Sequence, residues 1–373
     1  MRLKQRKQTP IILVAIILML TLTGMACNLF GGQPSGPEVV VEEEVVLEEP
    51  EPIEEPETED EPGFRPEQVF RFDLEEKVNS VAYANRGEQI ATGIFTQVDI
   101  WNASDGALME SLEEVPHSVI GLAFTPDDQA VYAALGVGGI NLYTLGNNEP
   151  TIDFHRGYDN YLALSPDGTR IASGNRGGET WLWDVSTGEL IIEMDPADHL
   201  DDYSEWLTSL AYSPDGSLIA AGHWDGHIFL WDAHSGGLIR YIKPETDFCN
   251  AWGLAFSTDG QYLAVGGLRS ERDDVIKVFQ VSDGSLAWVL DQYSRSGSGT
   301  APVAFSPDGR LLAAGAMDGI YLWALPEYEL LHTIPIEDTG ASDWVTDLAF
   351  SFDSQSLIAG YWDDYAVLWQ VQE

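Results

Sequence analysis

Apolar positions alternate in short bursts along most of the chain, and the bursts come in groups. Residues 210–237, LAYSPDGSLIAAGHWDGHIFLWDAHSGG, carry the group in full: an alternating LAY, the turn signal SPDG, a small apolar run, the turn WDG, the run HIFLWD and the turn HSGG. Period-two runs of this length between Gly, Pro and Asp read as strands. Pro sets φ ahead of the reversal and Asp-Gly tolerates positive φ, so SPDG has a mechanical reason to turn. Such a sheet is apolar on both faces, and it can bury both only between copies of itself.

The copies are present. Third strands close on Trp101, Tyr143, Trp183, Trp231, Phe279, Trp323 and Trp369, and the turns ahead of them read ANRG, TPDD, SPDG, SPDG, STDG, SPDG and SFDS. The closing aromatics stand roughly 40 to 48 residues apart, the period of a repeat array with one sheet per repeat. The seventh repeat supplies three strands only, and residues 69–73, VFRFD, resemble the outer strands LIIE at 190–193 and LIRY at 238–241. They are expected to pair beside the last strand and join the two ends of the ring, which removes exposed sheet edges.

Over residues 68–373 this pattern resembles the WD-repeat β-propeller family. The resemblance implies an all-β fold of seven four-stranded antiparallel blades around a central channel. The family's Trp-Asp dipeptide stands at Trp183-Asp184 and Trp231-Asp232, with Trp101-Asn102 close to it, whereas its Gly-His is missing from every repeat. His155, Ser173 and Trp183 match its hydrogen-bonded set, but Gly177 replaces the aspartate, so blade rigidity is expected to rest on apolar packing.

The first 67 residues read differently. Arg2, Lys4, Arg6 and Lys7 precede an apolar run at 11–22 and then Gly24-Met25-Ala26-Cys27, an export signal. It resembles a bacterial lipoprotein signal, which implies cleavage before Cys27 and lipidation of that residue. An uncleaved anchor over 11–30 and a cleaved secretory signal are the alternatives. All three place the rest of the chain outside the cytoplasm, with the membrane touched only through this segment. Residues 28–67 hold an acidic run interrupted by Pro50, Pro52 and Pro56, which reads as an extended stalk.

Charge narrows the partners. With 61 acidic against 18 basic residues the formal net charge is −43. This argues against nucleic acid, whose binding needs clustered Lys and Arg, and favours cations. Two cysteines, Cys27 and Cys249, make no disulfide framework.

No phosphate loop, nucleophile elbow, paired-cysteine or zinc-helix motif is found, so no cofactor is expected. His223, Asp225 and His227 flank one turn but offer too few ligands for a closed metal site, and they read as solvated turn residues. Asp-rich turns such as Trp362-Asp363-Asp364 and Arg272-Asp273-Asp274 have oxygens for calcium without the spacing of a dedicated loop.

Connections between blades and turns between second and third strands open on one face, here called upper. That face is expected to receive the long segments 195–205, 243–250, 268–274, 291–301 and 337–343. Trp206 and Trp344 stand seven residues before Ser213 and Ser351, Trp224 and Trp362 precede Asp225 and Asp363 in equivalent turns, and Trp252 is nearby. These residues make a candidate binding mouth for a protein or peptide, a glycan or a cationic ligand. The competing reading buries the rings between blades. The favoured function is a non-catalytic scaffold displayed at the cell envelope; the alternative is an envelope hydrolase or lyase using carboxylates in the mouth.

Overall fold

In six of the seven blades the turn between first and second strands is held by a hydroxyl and an aspartate, the hydroxyl coming from serine in five of them and from Thr125 in the second blade. In the fourth blade Asp215 Oδ1 accepts from Ser213 Oγ (2.6 Å) and Ser217 N (3.0 Å), and Ser213 Oγ accepts from Leu218 N (2.8 Å). Gly216 follows with φ of 71°, which a glycine adopts without strain. The same bond joins Ser165 to Asp167, Ser257 to Asp259, Ser306 to Asp308, Ser351 to Asp353, and Thr125 to Asp127. The donors hold several of these carboxyls below the usual range: the Thr125 hydroxyl leads at Asp127, the Thr169 amide at Asp167 and the Ser213 hydroxyl at Asp215.

The computed structural model describes residues 65–113, 115–147, 149–154, 159–175, 177–198, 206–242, 248–269, 274–290, 302–336 and 344–372. Within them lie seven four-stranded antiparallel sheets, and helix is confined almost entirely to the single turn Pro196–Asp198. The fourth sheet runs Leu207–Tyr212, Leu218–His223, Ile228–Asp232 and Leu238–Ile242 in chain order. In the seventh, Val345–Phe350, Ser356–Tyr361 and Tyr365–Gln370 are joined by Glu67–Asp73, with Phe70 opposite Leu368 and Phe72 opposite Ala366. The N-terminal strand therefore completes the last blade, as its likeness to the outer strands led one to expect. First strands of neighbouring blades touch all the way round, ending with Val345–Phe350 against Ser80–Tyr83.

The core is distributed. Seven clusters of buried apolar residues each span two adjacent blades, such as Phe229 and Trp231 of the fourth with Leu182 and Met194 of the third. Small residues at the end of second strands allow the close approach this demands. A Cβ on Gly222 would stand 2.9 Å from the Ala251 Cβ of the fifth blade. Of the hydrogen-bonded set implied by the resemblance, Trp183 Nε1 does donate to Ser173 Oγ (2.8 Å), and Trp101 Nε1 donates likewise to Thr92 Oγ1 (2.9 Å). His155 lies outside the described residues, as do Cys27, the acidic stretch and most of the long upper segments.

The channel mouth as candidate functional site

In five blades the first strand carries a β-bulge just before the residue four positions ahead of the turn serine or its counterpart. Register shifts fall at 119/121, 159/161, 207/209, 251/253 and 345/347. A bulge re-aims side chains. Here it helps bring one residue per blade to the axis: Ser80, Gly121, Tyr161, Ser209, Gly253, Pro302 and Asp347 all line a central cavity of about 500 Å³. In four of these blades the added residue lines the cavity as well: Ile120, Thr208, Trp252 and Thr346.

Asp347 is the carboxylate of this wall. Its Oδ2 accepts from Ser80 Oγ (2.8 Å) and Val81 N (2.9 Å) of the first blade, and its Oδ1 from Leu348 N (2.9 Å). Ser80 Oγ in turn accepts from Leu122 N (3.1 Å), so three blades meet at this group. Protein surrounds the carboxyl while part of the residue stays open to the channel. Burial pushes its pKa up to about 6 against the pull of the Val81, Ser80 and Leu348 donors. Asp347 is not among the residues that the sequence pattern singles out. Its signal lies in comparing two blades: WLTSLAY at 206–212 against WVTDLAF at 344–350 exchanges an axial serine for an acid.

Around the rim the tryptophans fall into two groups. Backbone bonds from Trp224 N to Trp206 O (2.8 Å) and from Asn250 N to Trp224 O (2.9 Å) tie three segments together. They set Trp206 edge-on to Trp224 at 5.5 Å and Trp224 edge-on to Trp252 at 5.0 Å. In the seventh blade Trp362 N donates to Trp344 O (3.0 Å), and the two rings lie 4.5 Å apart. Trp252, Trp344 and Trp362 line the cavity itself. None of the five belongs to an inter-blade cluster, and Trp206, Trp224 and Trp362 are 48%, 40% and 38% exposed. Trp206, Trp224 and Trp362 are therefore not buried between blades, whereas Trp252 is half-buried against Trp224 of the neighbouring blade.

The Lys77 ammonium sits over the Trp362 ring at 3.6 Å, and desolvation there lowers its pKa against the opposing charge of Glu76. Asp363 stands beside Trp362 in its turn. Asp225 is turned to its own hairpin, where Oδ1 accepts from His227 N (3.2 Å) and Oδ2 lies 3.2 Å from His227 Nδ1.

The histidines of that hairpin are not solvated, contrary to the sequence reading. His223 is wholly buried and packs edge-on against Phe229 at 5.0 Å. His227 is 8% exposed, and its Nε2 meets the Tyr241 hydroxyl at 3.1 Å. Phe229 of the third strand packs on His223 and Tyr241 of the outer strand Leu238–Ile242 covers His227, which the local pattern around the turn could not show. Among the described residues no group of three or more His, Cys, Asp or Glu side chains is placed to hold a metal. Arg272 and Asp273 lie outside the described residues.

Comparison with known proteins agrees with the repeat architecture. The WD40 family, described as WD domain, G-beta repeat, matches residues 195–232, 303–320 and 329–370. The small ribosomal subunit protein RACK1 of Candida albicans is 30% identical over 32% of this chain and 36% of its own length. Its Caenorhabditis elegans counterpart is 27% identical over 38% and 43%, so the chain spans under half of these relatives. The guanine nucleotide-binding protein subunit beta of Zea mays is 24% identical over 72% of this chain and 74% of its own length. The chain carries WD40 repeats in a seven-bladed propeller.

Proposed function

We propose that this WD40-repeat propeller is a non-catalytic scaffold whose upper channel mouth docks a partner protein. The observation that carries the reading is the pair of tryptophan groups, half open to solvent, held by backbone bonds on one rim. Large rigid rings in partly desolvated settings are the usual anchors of an interface. The relatives' names support a protein partner, since each describes a subunit or a subunit protein. A hydrolase or lyase in the channel needs a second ionisable group beside Asp347. Among the described cavity-lining residues the other titratable side chain is Tyr161, and the Asp347 oxygens are already held by three protein donors.

Affinity capture from envelope extracts on the full chain tests the docking reading. Proteins retained by the wild type are expected to be lost from a variant carrying Trp206→Ala and Trp224→Ala with an unchanged melting temperature. Retention of the same set by that variant removes the mouth from consideration.

The reading extends to location. Residues 1–27 act as an export signal with Cys27 as the lipid attachment point, residues 28–67 as an acidic stalk, and 68–373 as the displayed ring. Its support is the residue pattern: the basic start, the apolar run and small residues before Cys27, then Glu and Pro without Lys or Arg from 38 to 61. Labelling with a fatty-acid analogue is expected to mark the wild type and not Cys27→Ala; equal labelling contradicts it.

A further inference from the structure

The channel wall carries a negative charge with no counter-ion. Asp347 is bonded to Ser80 Oγ, Val81 N and Leu348 N, all neutral donors, and no cationic side chain among the described residues pairs with it. The described residues lining the cavity include no Lys, Arg or His. Enclosed charges in proteins are normally paired, and an unpaired one is costly. Asp347 lines the channel, so the missing positive charge can come from outside the chain.

The chemistry of that cation is written around it. One carboxylate whose oxygens already accept from three protein donors is a poor centre for calcium, which takes six to eight oxygens. Aromatic faces suit an organic cation instead, and Trp252, Trp344 and Trp362 line the same cavity. The Lys77 ammonium on Trp362 is an internal instance of this pairing at the rim. Trp252 Nε1 is buried and meets no acceptor among the described residues, which leaves a donor for a backbone carbonyl. Resting on the docking reading above, we propose that the mouth receives a lysine or arginine side chain of the partner, with Asp347 as its counter-ion and the Trp252 and Trp344 rings as its walls.

The test uses the full chain and a random peptide library displayed on phage. Selected sequences are expected to share a Lys or Arg. One is then synthesised with that residue and with norleucine in its place, and both are titrated by calorimetry into wild type, Asp347→Asn and Trp224→Ala. Norleucine and Asp347→Asn should each weaken binding at least tenfold, and together no further than either alone, as expected for two halves of one contact. Basic peptides gathered by the acidic 38–61 stretch would be indifferent to Asp347.

Should Asp347→Asn fail to fold, wild-type binding against pH carries the test. Affinity for the basic peptide should fall between pH 7 and pH 5 relative to norleucine, since the peptide side chain keeps its charge there and the groups bonded to Asp347 are neutral donors. Equal affinity for both peptides, or for wild type and Asp347→Asn, overturns the inference. The docking reading survives that result if Trp224→Ala still weakens binding. Indifference to Trp224→Ala, or no selected peptide, overturns both. Spermidine displacing the peptide while itself binding more tightly identifies a free polyamine as the cation and overturns the partner side chain.

Discussion

Asp128 and Ser354 occupy the position that glycine holds in the other turns, with φ of 59° and 64°. An L-residue is strained there by roughly 1 kcal/mol. What offsets the strain is a bond to the neighbouring blade. The Asp128 carboxylate accepts from Asn85 N (2.8 Å) and Arg86 N (2.9 Å), and Ser354 Oγ accepts from Asp308 N (3.0 Å). Asp128→Gly should therefore destabilise by about 1 kcal/mol despite relieving the strain, because bonds to a carboxylate outweigh it. A rise in the urea midpoint would contradict this.

Two kinds of aspartate give the protein opposite pH slopes. Asp127, Asp167 and Asp215 have depressed folded-state pKa values, so their stabilisation is complete above the unfolded value near 4 and is lost as pH falls below it. Asp347 is raised to about 6, so the folded state loses stability as pH rises from about 4 to 6. The difference is at most ~3 kcal/mol, less whatever solvation the open channel supplies. Asp347→Asn should flatten the slope of melting temperature between pH 4 and 6, and an unaltered slope would count against its enclosure. The turn aspartates were legible in SPDG itself. Asp347 was not, because its axial position depends on a bulge that the alternation of residues leaves unmarked.

At the scale of the element, the N-terminal strand is the joint of the ring. Glu67–Asp73 pairs with Tyr365–Gln370, yet Phe72 packs against Trp101 of the first blade at 4.9 Å. One strand thus belongs by hydrogen bonds to the last blade and by its side chain to the first. Phe72 is 2% exposed, so Phe72→Ala should cost about 3 kcal/mol or more. Deleting 68–75 should lower the melting temperature further by opening the ring, and an unchanged value would show that closure contributes nothing. This strand was readable in advance because its sequence copies the outer strands of other blades. The burial of His223 and His227 was not, since it depends on Phe229 and on Tyr241 from a strand 11 or more residues further on.

For the whole molecule, the seven clusters between blades leave no single core, and each blade is held by both neighbours. A ring built this way presents rigid rims, and the two rims differ. The lower rim is occupied by serine–aspartate bonds that serve the turns. On the upper rim Trp224 and Trp362 follow second strands in equivalent turns, one from the fourth blade and one from the seventh. Their pairing was visible from the repeat alignment, whereas the joining of Trp252 to Trp224 depends on the bulged strand Phe248–Phe256.

If recognition belongs to the upper mouth, affinity for a captured partner depends on its tryptophans and not on the lower rim. The full chain would be measured beside Trp224→Ala/Trp362→Ala and beside Phe352→Ala, which removes a 68% exposed ring from the lower rim. With melting temperatures matched, the account predicts at least ~30-fold weaker binding for the tryptophan pair, a loss of hot-spot size, and no change for Phe352→Ala. Undiminished affinity in the tryptophan variant, or a loss confined to Phe352→Ala, would contradict it.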